Sequence, residues 1–472
     1  MSERTGFIDG VVDRTLDNLR SLRMAWRDIA ASARGVVSGA PRPELSRDDA
    51  ERLRQRLRDC LDGRGGAVAA RARAADLGRT YLALNATGRE RFLYMLASEF
   101  DIDRAAADAL SQRLPMAERD ERPALEQALR DALEPPRVKL LTQFNALPEG
   151  VKFLVDLRAE LMLLARDNPV LAALENDLKS LLAGWFDVGF LELRRITWDA
   201  PASLLERLAR YEAVHRVRNW ADMKNRLDPD RRCFAYFHPR MPDEPLIFVE
   251  VALVEGMADD VQALLDQNAP LGDLDSADAA IFYSISNCQK GLSGISFGDF
   301  LIKRVVDRLH AELPRIKIFA TLSPIPGFRA WLDRRMAEGD NVLTPAEREE
   351  LPDAVAKEPL AKLLERPRWH DDTALAEALK APMFRLCARY LLTEKRRSGT
   401  IADSVAHFHL TNGARMEQLD WLADTSANGL KQSYGLMINY LYRVSEIEQN
   451  HEAYVAEHHI VASTAIQRLA KG

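Results

Sequence analysis

Cysteine is scarce in this chain: four residues, Cys60, Cys233, Cys288 and Cys387, are scattered through 472. No two have the spacing of a metal site, and the pattern fits a reducing cytoplasm better than a disulfide framework. No apolar run reaches the roughly 18 residues that a membrane-spanning helix needs. A basic surplus is missing too. Lys and Arg total 65 against 71 Asp and Glu, so the net charge is -6, which argues against a general nucleic-acid binder. Met1 to Trp26 mixes acids with bases and lacks a compact apolar centre followed by small residues, so it reads as neither a secretory signal nor a transit peptide. Arg468 to Gly472 does not form a peroxisomal address. No repeat or low-complexity tract stands out.

What is present describes a globular protein, 47% hydrophobic and 29% charged. Its length exceeds one ordinary core, so two domains or more are expected. Residues up to about Phe186 read as helix almost throughout. Thr87 to Glu90 has the form of a capping box, and two amphipathic segments, Val151 to Arg166 and Val170 to Trp185, are separated by Asp167-Asn-Pro169. Arg and Ala abound here and no cluster suggests chemistry, so 1–188 reads as a helical packing or oligomerisation domain.

The character changes near Gly189, and 189–472 reads as an α/β domain. Strands are expected at Leu191 to Trp198, Cys233 to His238 and Leu246 to Val254, with a helix from Pro201 to His215. Ala280 to Ser286 has the composition of a buried strand, and a loop with Gly291, Gly294 and Gly298 follows it. Phe300 to Leu313 then repeats its apolar residues at helical spacing, and Ile316 to Leu322 is a second apolar run. Such a unit pairs two parallel strands across a helix. Gly339 to Asp372, with a capping box at Thr344 to Glu347, reads as a surface insertion. Further on, Ala374 to Glu394 is expected as helix, Val405 to Leu410 as a short strand, and Asp424 to Tyr442 and His451 to Ala470 as largely helical.

Several residues could carry chemistry. Backbone amides of Ser293, Gly294, Ile295, Ser296, Phe297, Gly298 and Asp299, at the start of a helix, could cradle a diphosphate; a plain tight turn would have the same glycines. Gln289 to Gly294 resembles the Gln/Arg-x-x-Gly-x-Gly loop of acyl-CoA-binding acetyltransferase folds, with a different glycine spacing. Gly294 to Gly298 is also G-x-S-x-G, the hydrolase elbow, although Ser296 stands some distance past the strand that an elbow would follow. Ser323, in Leu322-Ser-Pro-Ile-Pro-Gly-Phe328, ends a strand on a stiff proline turn, at the edge where α/β ligands lie. A serine that only starts that proline turn would look the same. On the expected strand His407 and His409 face the same side, a spacing that suits a metal or, for one of them, a proton donor. No third ligand completes a metal set. Tyr440 and Tyr442 would lie on different faces of a helix.

Taken together, these stretches resemble the malonyl-CoA decarboxylase family. The resemblance rests on FYSIS (282–286), GLSGISFGDFLIKRVV (291–306), LSPIPGF (322–328), HFHLTNGA (407–414), DWLADTS (420–426) and GLMINYLY (435–442). It implies an α+β chain: an all-α helical N-terminal domain that oligomerises, as a dimer or tetramer, and then a GNAT-like (acetyltransferase-like) α/β catalytic domain. It implies Ser323 and His409 as the catalytic pair and Ser293 to Asp299 as the acyl-CoA loop. Ser284 and Tyr442 are candidates for surrounding hydrogen bonds to substrate, and Lys290 and Arg304 for phosphate neutralisation. The reaction implied is conversion of malonyl-CoA to acetyl-CoA and CO2 with no cofactor or metal, no nucleic-acid or membrane partner, and a bacterial cytoplasmic setting. A thioesterase using Ser296, a GNAT acyltransferase and a non-catalytic acyl-CoA sensor are the alternatives.

Overall fold

The protein is described from a computed structural model, which covers residues 41–62, 66–295, 301–339, 342–349, 351 and 358–471. Ser296, Phe297, Gly298 and Asp299 lie outside the described residues. The chain divides into two units. One comprises the residues up to Leu191 with His238–Asp243 and the segment beginning at Gln289; the other holds Glu192–Phe237, Glu244–Cys288 and the described chain from Leu301 on.

The first unit is helical. Its long segments are Gly150–Leu164 and Pro169–Trp185, where Asn168 Oδ1 accepts from the backbone N–H groups of Val170 and Leu171 and Pro169 occupies the first turn. The helix Ala86–Glu99 starts earlier than its expected capping box: Asn85 Oδ1 accepts from Gly88 N at 2.9 Å, so Thr87 lies inside the helix. Asn is the stronger cap, and it comes first. Edge-on packing of Tyr81 against Phe92 and Phe153, with Phe144 stacked on Phe153, ties four helical segments into one core. Arg158, buried in the Gly150–Leu164 helix, donates to Gly291 O at 2.6 Å and pairs with Glu175. A Cβ on Gly291 would sit 1.7 Å from Val155 O, so this glycine serves close packing.

The strands are β1 (Glu192–Ile196), β2 (Arg231–His238), β3 (Met241–Val254), β4 (Ala279–Asn287), β5 (Ile318–Thr321), β6 (Ser323–Pro324), β7 (Arg415–Asp420) and β8 (Met437–Leu441). They form one mixed sheet in the order β1-β2-β3-β4-β5-β8-β6, with β7 also paired to β8. The expected strand–loop–helix–strand unit is present: β4 and β5 are parallel, and the helix Leu301–Glu312 lies between them in sequence. Their ladder covers only Ala279–Phe282 against Ile318–Thr321, while β4 runs on to Asn287. The two strands therefore part just before Ser323. On the other edge of β4 the register shifts at Glu250/Val251 and leaves Tyr283 without an opposite residue, a β-bulge. The fold is thus α+β, with an all-α front and a mixed-sheet α/β back.

Alternation decides what each face of this sheet carries. Met437, Leu441, Ala320 and Leu322 join Ile281 and Tyr283 in one apolar cluster. Thr321, Ser323, Tyr440 and Tyr442, one residue out of step, point to the other face.

Three expectations are corrected. Val405 to Leu410 is not a strand but part of the helix Ser404–Thr411, because Asp403 Oδ1 accepts from Val405 N and Ala406 N at 3.0 Å each and starts a helix there. Short apolar runs do not distinguish helix from strand by period alone, and the cap decides. Asp424 to Tyr442 holds a shorter helix, Ala427–Ser433, which Tyr434 and Gly435 end with φ of 56° and 87° before β8 begins. The insertion from Gly339 is more than surface: Leu360, Leu363, Leu364 and Trp369 are buried. Its expected capping box does form, with Thr344 N donating to Glu347 at 2.7 Å and Glu347 N to Thr344 at 3.2 Å.

Candidate active site

Ser323 and His409 meet. Ser323 Oγ lies 3.1 Å from His409 Nε2, although 86 residues separate them in sequence. Asp403 holds the two elements together. Its Oδ1 caps the helix that carries His409, and its Oδ2 accepts from Gly327 N at 3.2 Å, in the turn that follows Ser323. Tyr390 adds a hydroxyl contact to the same oxygen at 3.4 Å. Asp403 is 1% exposed, and burial raises its pKa even though backbone donors surround it.

The strands supply the rest. Tyr442 Oη lies 2.8 Å from His409 Nδ1, and the Tyr440 ring stacks on the imidazole at 4.5 Å with 23° between planes. Ser323 donates to Thr321 Oγ1 at 2.7 Å, and Thr321 also accepts from Tyr440 N at 3.1 Å. Sequence reasoning missed Thr321 and the pairing of the two tyrosines with the histidine. The usable signal was spacing: Thr321 stands two residues before Ser323, and Tyr440 two before Tyr442, so each pair shares a strand face.

Electrostatically the histidine is isolated. It is 2% exposed, and burial alone lowers its pKa to about 3. Burial holds Tyr442 well above its usual value, so the phenol stays protonated. A neutral hydroxyl therefore stands behind this imidazole, where a hydrolase triad places the carboxylate that stabilises an imidazolium.

Other expected residues lie elsewhere. Ser284 is buried, and its hydroxyl meets the Glu212 carboxylate at 2.8 and 2.9 Å; Ser286 reaches the same carboxylate at 3.2 Å. Glu212 also accepts from Val214 N and His215 N, at 2.8 and 2.7 Å, which makes Ser284 part of a buried carboxylate nest. Ser293, Gly294 and Ile295 follow the short 3-10 turn Lys290–Leu292 within the helical unit, with Gly294 at φ +72° and Ile295 buried. His407 does not share His409's environment. Two positions apart on a helix, it points to Tyr454 Oη at 2.7 Å, and among the described residues no group of three His, Cys, Asp or Glu is arranged to hold a metal.

Known proteins match most of this chain. The malonyl-CoA decarboxylase C-terminal domain matches residues 189–472, and the malonyl-CoA decarboxylase N-terminal domain matches residues 100–186. The mitochondrial malonyl-CoA decarboxylase of Anser anser anser is 39% identical over 418 residues, 84% of this chain and 83% of that one. The Rattus norvegicus enzyme of the same name is 38% identical over 404 residues, covering 81% and 82%. The crystal structure of malonyl-CoA decarboxylase from Rhodopseudomonas palustris superposes with a TM-score of 0.81 at 40% identity, covering 89% of this chain and 99% of that one. The Agrobacterium vitis enzyme gives 0.80 at the same identity and coverage. With a domain profile spanning more than half its length and relatives near 40% identity along most of theirs, the chain belongs to the malonyl-CoA decarboxylase family.

Proposed function

We propose that this chain decarboxylates malonyl-CoA to acetyl-CoA and CO2, with Ser323 and His409 as the reacting pair. In the substrate the thioester carbonyl is β to the carboxylate. The bond to CO2 breaks with its electrons entering that carbonyl, an enolate forms, and one proton is added at the α-carbon. The site therefore needs donors for the enolate oxygen and one acid; it needs no nucleophile. Preorganised donors of this kind contribute about 2.7–4 kcal/mol each, and a positioned acid roughly 10²–10⁴ in rate.

The observation that carries this reading is the neutral imidazole set between Ser323 and a phenol. Neutral imidazole is a competent electrophile toward a carbonyl oxygen. A bound malonyl carboxylate brings a negative charge close to the ring, which raises its pKa and favours the protonated imidazolium, so the substrate itself helps His409 take up the proton that it then delivers. Ser323 gives its own proton to Thr321, which leaves it poorly arranged for nucleophilic attack and counts against acyl-enzyme chemistry there. Ser293 to Asp299 is the candidate loop for the CoA diphosphate in this reading, with Lys290 a candidate counter-charge beside it in sequence. Ser284 supports the strand next to it through Glu212. Residues 1–188 pack and self-associate, and Tyr94, Met116 and Leu133 are large apolar side chains exposed there. All four cysteines are free and buried, which suits a reducing compartment such as the cytoplasm.

Incubation with malonyl-CoA and no added cofactor, read by mass spectrometry, tests the reaction. Acetyl-CoA and CO2 are expected. Free CoA would indicate a thioesterase, conversion only after an amine is supplied an acyltransferase, and unchanged substrate a sensor. Ser323→Ala and His409→Asn are each expected to lower kcat about 10²–10⁴-fold. Full turnover by both would remove the site assignment while leaving the activity.

A further inference from the structure

We infer that Thr321 is a positioning residue: its hydroxyl oxygen fixes the polarity of the hydrogen-bond chain through Ser323 and so decides which nitrogen of His409 carries the proton. The inference rests on the reading of Ser323 and His409 as the reacting pair.

A serine hydroxyl has one proton to give and two lone pairs. Ser323 gives its proton to Thr321 Oγ1 at 2.7 Å. At 3.1 Å from His409 Nε2 it is then an acceptor, so Nε2 holds a proton. A neutral imidazole carries only one. Nδ1 is therefore bare and accepts from the Tyr442 hydroxyl at 2.8 Å. Each bond follows from the one before it, and Thr321 is where the sequence starts.

Thr321 is held in that part from behind. Tyr440 N donates to the same Oγ1 at 3.1 Å, and because 440 sits in the strand next to β5, this donor is fixed by the sheet itself. Two donors on Oγ1 occupy its lone pairs and keep it an acceptor toward Ser323. Solvent cannot scramble the arrangement, since Thr321 and Tyr440 are 0% exposed and His409 2%.

The consequence is chemical. With Thr321 in place the nitrogen facing Ser323 is an acid, as protonation of an enolate requires. Without its oxygen the Ser323 proton has one acceptor left, Nε2. The ring then moves its proton to Nδ1 and donates it to Tyr442, and the nitrogen facing Ser323 becomes a base.

The test uses the full chain labelled with ¹⁵N in the imidazole, His409 being assigned by its loss in His409→Asn. Wild type should show His409 as the Nε2–H tautomer. Thr321→Val should convert it to Nδ1–H and lower kcat about 10- to 100-fold, with KM within about twofold. Thr321→Ser, which restores the oxygen, should recover both tautomer and kcat. A wild-type Nδ1–H tautomer overturns the inference without any variant. So does a folded Thr321→Val protein that keeps Nε2–H, or a folded Thr321→Ser protein that fails to recover it. If His409→Asn keeps full turnover, the catalytic reading falls, and the tautomer measurement still decides the polarity of the chain.

Discussion

Tyr442 Oη sits 2.8 Å from His409 Nδ1, across the ring from Ser323. It occupies the place of a triad carboxylate while supplying a hydrogen bond without a charge. Tyr442→Phe keeps the ring and leaves Nδ1 buried with no donor. Loss of such a bond costs about 1–3 kcal/mol, so kcat should fall roughly 5- to 160-fold. Steady-state kinetics with malonyl-CoA checks this; an unchanged kcat would mean that the phenol does not act on the imidazole.

The pH dependence follows from the burial of His409. Its ordinary pKa is near 6.5, and in the folded chain it is lowered to about 3. Between these values the unfolded chain binds a proton that the folded chain does not. Stability from this group is thus fully present above about pH 6.5 and is lost as pH falls toward 3, by roughly 1.4 kcal/mol per pH unit. Denaturation of wild type and His409→Asn across that window should show a steeper pH slope for wild type. In kinetics, kcat/KM should lack an inflection near about pH 6.5, because the free enzyme's histidine does not titrate there. A drop of about tenfold per unit above that pH would mean that the free ring must be charged.

Much of this was legible in the sequence, and what was not has physical causes. Strands β2 to β5 announce themselves through apolar and β-branched runs, whereas β7, Arg415–Asp420, alternates too many polar residues to stand out. Ser323 and His409 could be named from their motifs. Their neighbours could not, because the helix Ser404–Thr411 reads equally as a strand until Asp403 is seen to cap it, and β8 reads as a helix until the left-handed Tyr434 and Gly435 are seen to break it. Each error hid a contact: it turned His407 toward His409's partners and set Tyr440 and Tyr442 on different faces. Thr321 was invisible for another reason, since its role lies in a hydrogen-bond direction that only the neighbouring strand imposes.

Asp403 joins the elements that carry Ser323 and His409 through opposite oxygens of one carboxylate. Asp403→Ala removes a helix cap, usually worth about 0.5–2 kcal/mol, and leaves Gly327 N without its acceptor. Unfolding free energy should drop by about 2–3 kcal/mol. Activity should fall further than the folded fraction does, because Ser323 and His409 lose their common anchor. Denaturant titration and kcat on the same preparation separate the two effects; a fall in kcat that only tracks unfolding would remove the positioning role.

Two glycines near the candidate acyl-CoA loop should behave differently when replaced by alanine. At Gly291 the added methyl would lie 1.7 Å from Val155 O, and backbone must move to admit it. Overpacking of this kind costs about 1–3 kcal/mol, so Gly291→Ala should lower the unfolding midpoint. At Gly294 the nearest atom to an added Cβ is Lys179 Nζ at 3.6 Å, so space is available, and the cost is that of φ +72°, about 1–2 kcal/mol for a non-glycine residue. If the loop receives the CoA diphosphate on backbone amides, the strained Gly294→Ala loop should raise KM for malonyl-CoA several-fold beyond any effect on kcat. Equal KM values for Gly294→Ala and wild type would show that the loop's left-handed turn serves the chain alone and that the diphosphate is held elsewhere.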